Sequence, residues 1–206
     1  KVVAARRSQQ MYPYEIVRML TTGERNLAEG GRDSGRAMLP AGTFEEYDLD
    51  PEFDRPTAMS VAGRPYGENR AGIVFGLIST PTEAVAEGVR RVLVLSDPTL
   101  GMGALAAPEC DRLVAAFDLA EALHIPLEWV AVSSGARIAM DSGTENLDAT
   151  ARVVRRIVTY TEAGGVVHVI VAGVNIGAQA YFDALATMLM HTRGVLIMTQ
   201  KSSMVL

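Results

Sequence analysis

The chain has 206 residues, of which 49% are hydrophobic and 21% charged, and its net charge is −5. This length suits one large domain or two small ones, and the apolar content excludes disorder along the whole chain. The acidic balance argues against a general nucleic-acid-binding protein. Cys110 is the only cysteine, which excludes an internal disulfide framework and favours a reducing, cytoplasmic setting. No apolar stretch reaches the roughly 18 residues of a membrane span.

Residues 1–70 are predicted to form a helical and looped approach segment. Residues 1–22 favour two short helices separated by a turn at Tyr12-Pro13. Residues 23–70 are rich in glycine and proline, which is typical of loops, and residues 44–49 fit a small helix or an edge strand. The chain starts without Met and stops on the apolar residues 204–206, so we expect it to be part of a longer protein.

From residue 71 onward, apolar runs alternate with helical patterns. The runs that predict buried strands are 73–78, 91–95, 127–132, 166–172 and 195–198. The helical patterns are 108–123, 145–163 and 179–191. In the second of these helices, the residues predicted to face the core are Leu147, Ala151, Val154, Ile157, Val158 and Thr161. The alternation predicts an α/β domain over residues 71–206.

Two of the predicted strands run into turns of small residues. Residues 133–136 follow the strand 127–132, and residues 173–178 follow the strand 166–172. Two such turns can each present backbone N–H groups, and converging donors are the minimal apparatus for holding the oxygen of a thioester enolate. The catalytic candidates are therefore Gly135, Ala136, Gly177 and Ala178. The simpler interpretation is that both segments are only tight turns between strands and helices.

Acids and histidines offer fewer functional signals. Asp141, Glu145 and Asp148 could include a general base, although acids at the start of a helix usually cap it and interact with its dipole. The three histidines, at positions 124, 168 and 191, show no metal-ligand spacing, so we expect no metal.

Glycines and arginines raise two phosphate-binding hypotheses. Gly101 and Gly103 could cradle a phosphate, but their loop lacks the lysine of a P-loop and the third glycine of a dinucleotide fingerprint. Arg152, Arg155 and Arg156 form either a solvated helix face or, less simply, a site for a coenzyme A phosphate.

Three segments then combine into a family resemblance. Residues 96–105 resemble a D-x-T-x-x-G-G-S loop, residues 133–138 an S-G-A-R-I turn, and residues 173–181 a second Gly-rich turn before a helix. In this order they resemble the N-terminal half of the carboxyltransferase domain of biotin-dependent acyl-CoA carboxylases, which has a crotonase-like fold. This chain departs from the family at residues 102–104, where Met-Gly-Ala replaces Gly-Gly-Ser, and at 177–178, where many relatives have Gly-Gly. The second change leaves a backbone amide in place.

The resemblance implies a reaction. Carboxyltransferases move a carboxyl group from carboxybiotin to the α-carbon of an acyl-CoA, through an enolate that backbone amides hold. In this chain those amides would belong to Gly135, Ala136, Gly177 and Ala178. The residues expected to bind substrate would be Gly101, Gly103, Ser134, Arg137 and Asn175. Biotin is thought to act as the base in this family, which fits the lack of an obvious side-chain base.

The resemblance also implies partners. They are a biotinyl carrier domain that brings the cofactor biotin, a biotin carboxylase, the C-terminal carboxyltransferase half, and further copies in an oligomer. The family's active site lies between two halves, so this chain alone is expected to be inactive. Two alternatives remain. One is another crotonase-like acyl-CoA enzyme, a hydratase, isomerase or thioesterase that uses Asp141 or Glu145. The other is a non-catalytic CoA-binding or assembly piece.

Overall fold

A computed structural model describes residues 11–23, 40–138, 144–192 and 194–197, together with Val3. Of residues 195–197 it describes the backbone only. The first helix of these ranges, α1 (Pro13–Thr21), starts with a proline, which is preorganised for the first helical turn. It confirms the second of the two helices predicted before residue 22.

The strands form one mixed sheet. Their bounds are β1 (Thr43–Leu49), β2 (Ala58–Ser60), β3 (Ile73–Thr80), β4 (Val89–Ser96), β5 (Leu127–Ser133), β6 (Val167–Ile176), β7 (Met188–His191) and β8 (Val195–Ile197). Seven strands follow the order β2-β1-β3-β4-β5-β6-β7, and β8 pairs with the end of β6. Pairing is antiparallel from β2 to β4 and parallel from β4 onward. The predicted α/β class is therefore confirmed.

Helices connect the parallel strands from β4 to β7. Helix α2 (Ala107–Leu123) joins β4 to β5, α3 (Glu145–Glu162) joins β5 to β6, and the short α4 (Ala178–Ala184) joins β6 to β7. A parallel connection needs such a crossover because each strand must restart at the same end of the sheet. No helix within the described residues has the length and apolarity to cross a membrane.

The central strands β3, β4 and β5 are largely buried on both faces, which explains their continuous apolar runs, whereas all four residues of β7 are exposed. Successive side chains of a strand point to opposite faces. Phe75, Val94 and Trp129 accordingly pack with the crossover helices, whereas Val74 and Leu95 pack under α1. Two separate clusters of buried residues result, one on each face of the sheet.

The predicted boundary at residues 70 and 71 falls inside this sheet. Residues 44–49 belong to β1, which pairs along β3 with Tyr47 opposite Phe75. The segment 40–70 therefore contributes two strands, where the sequence predicts loops and, at residues 44–49, a small helix or an edge strand. The short β2 lies outside β1, so β1 is not the edge of the sheet.

Three details of the sequence prediction were wrong. The helix predicted for 179–191 ends at Ala184, and residues 188–191 form β7 because they pair with β6 in register His168 to Met188. Tertiary pairing here outweighs the helix propensity of a Met- and Leu-rich segment. The strand predicted for 166–172 continues to Ile176.

The third error concerns the buried face of α3. Leu147 is 52% exposed, and Ala151 is exposed as well. The residues that α3 buries are Asn146, Ala149, Thr150, Val153, Ile157 and Tyr160. Ile157 is thus predicted correctly, and the partly buried Val154 also packs against the core. The buried face also includes the polar Asn146 and Thr150 and the hydroxyl-bearing Tyr160, which a count of apolar residues does not find.

Candidate functional site

The first candidate turn follows β5. Ser133 is 1% exposed, and its Oγ accepts a hydrogen bond of 3.0 Å from the backbone N–H of Gly135. Gly135 has φ +90°, a conformation that residues with a Cβ rarely adopt. The serine side chain thus shapes the turn, and position 135 requires glycine. The amide of Gly135, which the resemblance assigns to the enolate oxygen, is engaged within the turn by this hydrogen bond.

A short parallel bridge fixes the far side of this turn. Leu105 N donates to the carbonyl of Gly135 at 2.8 Å, and Arg137 N donates to the carbonyl of Leu105 at 2.8 Å. Successive N–H groups of an extended segment point in opposite directions, so the amide of Ala136 points away from Leu105. Among the described residues it donates no hydrogen bond, which makes it the donor that the first turn can offer a ligand.

The second candidate turn follows β6. Gly177 has φ +59° and ψ −125°, and α4 begins at the next residue, Ala178. Within the described part of the chain, no side chain caps this helix, and the first N–H groups of a helix have no partner inside it. The second turn therefore also presents backbone donors.

The two turns touch each other. A Cβ placed on Gly135 would lie 2.9 Å from the carbonyl oxygen of Ile176 and 3.5 Å from Cα of Gly177. The strands that carry the turns are parallel neighbours, with Ser133 opposite Asn175 in the register. The four residues predicted as catalytic, at positions 135, 136, 177 and 178, are therefore brought together at the carboxyl edge of the sheet. In open α/β sheets this edge is the usual place for a ligand.

The loop after β4 is organised by a buried carboxylate. Asp97 is fully buried, and its Oδ1 accepts hydrogen bonds from Thr99 N at 3.0 Å and Thr99 Oγ1 at 2.6 Å. Its Oδ2 accepts one from Asn69 Nδ2 at 2.9 Å. These bonds hold the start of the loop that contains Gly101 and Gly103.

This loop lies against the first candidate turn. A Cβ on Gly103 would overlap the carbonyl oxygen of Val132, and Ser134 N donates to Met102 O at 3.2 Å. Residues 101–103 all have positive φ, between 55° and 71°. The amide of Gly103 donates to Leu100 O at 3.0 Å, so this amide is used within the loop and does not face a phosphate. Gly101 is exposed beside it.

Beneath the second turn lies a buried group that we call the turn network: Asn175, Gln179 and Asp183. Asn175 Nδ2 and Gln179 Nε2 donate to the two carboxylate oxygens of Asp183 at 2.7 and 2.8 Å. All three side chains are at most 1% exposed. Burial raises the pKa of Asp183, although the two hydrogen bonds and the charge of His191 act in the opposite direction. Asn175 therefore supports the turn from inside rather than presenting its side chain to a substrate.

The remaining candidates are spread along the surface. Arg137 is exposed, and its carbonyl accepts a hydrogen bond of 3.0 Å from Asn146 Nδ2. Glu145 and Asp148 lie exposed in the first turn of α3. Asp141 lies outside the described residues. Across the part of the chain that the structure describes, no group of three His, Cys, Asp or Glu side chains could hold a metal ion.

Two of the three helix arginines are engaged by acids of α2. Arg156 Nε contacts Asp118 at 2.6 Å, and its NH2 group contacts Glu121 at 2.9 Å. Arg152 contacts Asp111 at 2.9 Å. These pairs weigh against a coenzyme A phosphate site. They support the solvated-face interpretation for Arg152, whose side chain is 51% exposed, but not for Arg156, whose side chain is 13% exposed.

Sequence reasoning missed two residues that shape the site. Asp183 follows Gln179 by four positions, the spacing at which a helical glutamine and aspartate interact, so the signal was present in the sequence. Asn69 is distant from Asp97 in sequence, and only the fold places them together.

Comparisons with models of protein families and with curated protein sequences gave no match to this chain.

Proposed function

We propose that this chain is the acyl-CoA-binding, N-terminal half of a carboxyltransferase domain with a crotonase-like fold, in a biotin-dependent acyl-CoA carboxylase. The observation that carries the proposal is the contact between the two turns, with Gly135 directly against Ile176 and Gly177. This contact supports the resemblance of residues 133–138 and 173–181 to the family's two turns, because the two segments lie side by side.

The reaction needs a stabilised enolate. The amide of Ala136 on one turn and those of Gly177 and Ala178 on the other would donate to the thioester oxygen as negative charge develops there. Backbone donors of this kind are held in place before the reaction, so they cost no reorganisation. Each typically contributes about 10²–10³ in rate.

The polar side chains at the ends of β5 and β6 are not available as bases. Ser133 accepts a hydrogen bond from Gly135, and Asn175 donates to Asp183, both inside the protein. When bound, biotin would supply the transferred carboxyl group and the base, brought by a carrier domain against the C-terminal carboxyltransferase half. The expected setting is a cytoplasmic oligomer that also includes biotin carboxylase.

The test is the reverse half-reaction in the complete gene product that contains this chain. Malonyl-CoA and free biotin are supplied: the bond between the α-carbon and the carboxyl group breaks, the carboxyl group joins biotin nitrogen, and the displaced proton ends on the α-carbon of acetyl-CoA. We expect loss of malonyl-CoA that requires biotin. Repeating the assay with longer malonyl-type thioesters identifies the acyl chain that the enzyme prefers. Biotin-independent hydration of crotonyl-CoA that is lost in Glu145→Gln would overturn the proposal and support a hydratase.

A further inference from the structure

A single buried carboxylate spans the second turn. Asn175 lies two residues before Gly177, and Gln179 lies two residues after it, and both side-chain amides donate to Asp183. Asp183 is itself on the second turn of α4 and is 1% exposed. One side chain thus connects the end of β6 with the start of α4 across the glycine that turns the chain.

This arrangement carries an unusual electrostatic cost. The charged group that acts on Asp183 most clearly is His191 of β7, and its carboxylate makes no ion pair with Lys or Arg among the described residues. The carbonyl oxygens of the Asn175 and Gln179 side chains are buried without a hydrogen-bond partner. Buried polar groups left in this state are costly, and they persist where the surrounding structure has a use for them.

We propose that Asp183 is a positioning residue for the donor amides of the second turn. The inference rests on the proposed function for its effect on rate, but not for its effect on the turn. With φ +59° and ψ −125°, Gly177 adopts a conformation that the chain on either side must hold in place. Asp183 does so by fixing the side chains of both flanking residues at once.

The proposal distinguishes hydrogen bonding from charge. In Asp183→Asn, the new amide N–H₂ group can donate to one of the two unpaired oxygens after that side-chain amide rotates by half a turn. A neutral network can therefore hold the same turn. In Asp183→Ala no acceptor remains, and both flanking amides lose their common anchor.

The experiment compares Asp183→Ala, Asp183→Asn and Val169→Ala in the complete gene product. Val169 is fully buried in β6 and makes no contact with the turn network through hydrogen bonds, so its variant controls for general loss of stability. We expect Asp183→Ala to lower kcat for biotin-dependent malonyl-CoA decarboxylation by roughly 10–100-fold with little change in KM, because donors displaced by a fraction of an ångström stabilise the transition state less well. Asp183→Asn should remain within about tenfold of the wild type, and Val169→Ala should keep its kcat below its unfolding temperature.

A second readout is amide hydrogen exchange over residues 173–180, which should accelerate in Asp183→Ala but not in the other two variants. Equal kcat values in the wild type and Asp183→Ala would overturn the proposal. So would parallel losses in Asp183→Ala and Val169→Ala, or an Asp183→Asn protein as impaired as Asp183→Ala. If the wild type shows no biotin-dependent decarboxylation, the proposed function fails. In that case the hydrogen-exchange data by themselves test whether Asp183 positions the second turn.

Discussion

Two buried polar clusters in this chain differ in their balance of charge. The first, the ion cluster, contains Glu46, Asp48, Arg64 and Arg112, so two acids meet two arginines. The second, the turn network, contains one carboxylate and two amides. The first is balanced in charge and the second is not.

Titration reflects this difference. Burial alone would raise the pKa of Asp48, but the hydrogen bond from Arg64 and the charge of Arg112 outweigh it, and its pKa lies below the ordinary value. Burial of Asp183 is opposed only by amide hydrogen bonds and by His191, and its pKa lies above the ordinary value. The pKa values of two buried aspartates therefore shift in opposite directions within the same fold.

The two clusters also lie in different parts of the fold. The ion cluster joins β1, the 61–67 loop and α2, and Tyr14 OH of α1 donates to Glu46 at 2.9 Å. It fastens residues from both sides of the predicted 70/71 boundary. The turn network lies beneath the candidate donor amides. The charge-balanced ion cluster thus holds separate segments of the fold together. The unbalanced carboxylate of Asp183 lies where Gly177 adopts an unusual backbone conformation.

The largest effect is expected on the free energy of unfolding, when the ion cluster loses Arg64. Arg64→Met leaves the buried carboxylates of Glu46 and Asp48 without their shared cation. Removing one partner of a buried ion pair typically costs about 3–5 kcal/mol of unfolding free energy. We expect the lower end, since Arg112 still contacts Asp48 and Tyr14 still contacts Glu46. Urea unfolding measures the change.

The matched control is Arg152→Met. Arg152 also pairs with an aspartate, Asp111, but its side chain is 51% exposed. Exposed pairs contribute at most about 1 kcal/mol, so this variant should unfold close to the wild type. Equal losses from the two arginine substitutions would show that the ion cluster has no special role in stability.

The next effect concerns the contact between the two turns. Gly135→Ala introduces a Cβ at 2.9 Å from Ile176 O and forces alanine into φ +90°. We expect the turns to separate, with a fall of about 10²–10³ in biotin-dependent malonyl-CoA decarboxylation, comparable to loss of one oxyanion donor. Gly164→Ala is the control because Gly164 has the same φ, +90°, with nothing within 4 Å of its added Cβ.

Gly164→Ala should lose only the conformational term, roughly 1–2 kcal/mol of stability, and keep its turnover. If both alanine variants retain full activity, the contact between the turns does not carry the chemistry. Thermal unfolding of each variant separates the loss of rate from loss of fold.

A smaller effect is expected on the pH dependence of stability, which should differ between the wild type and Asp183→Asn. The raised pKa of Asp183 means that the native state binds its proton more tightly than the unfolded chain does. Stability from this group is therefore present at acid pH and is lost as the pH rises from the unfolded value through the raised native one. Asp183→Asn lacks this loss, so its stability relative to the wild type should grow through that window.

The slope of this difference cannot exceed about 1.4 kcal/mol per pH unit, since one proton is involved. Asp48 acts with the opposite sign, because its pKa is lowered and its contribution is lost as the pH falls. That term is common to both proteins and cancels. Urea unfolding of the two proteins between pH 4 and 7, in the same buffers, gives the difference. A stability difference that does not change with pH would contradict the assignment of the raised pKa to Asp183.

The sequence predicted the parts of this molecule that depend on local pattern. Strands β3, β4, β5, β6 and β8 and the long helices α2 and α3 follow from apolar runs and helical spacing, and the two turns follow from small residues after strands. It leaves residues 44–49 open between a small helix and an edge strand, because the adjacent Glu45 and Glu46 break the polar–apolar alternation of β1 and because its pairing with β3 is long-range. It could not reveal the ion cluster, whose members are brought together from positions 46 to 112.

The smallest effect is expected from the acids at the start of α3. Glu145 and Asp148 are exposed in the first turn of an 18-residue helix, where a negative charge interacts favourably with the helix dipole. Glu145→Gln and Asp148→Asn should each lower stability by about 0.3–1 kcal/mol, and the two serve as controls for each other.

If either acid were the catalytic base, its loss would lower the rate by about 10²–10⁴. Because the proposed reaction takes its base from biotin, we expect biotin-dependent decarboxylation to stay within about tenfold of the wild type in both variants. A hundredfold fall in Glu145→Gln alone, with acyl-CoA binding and unfolding temperature preserved, would move the chemistry from the backbone turns to this side chain.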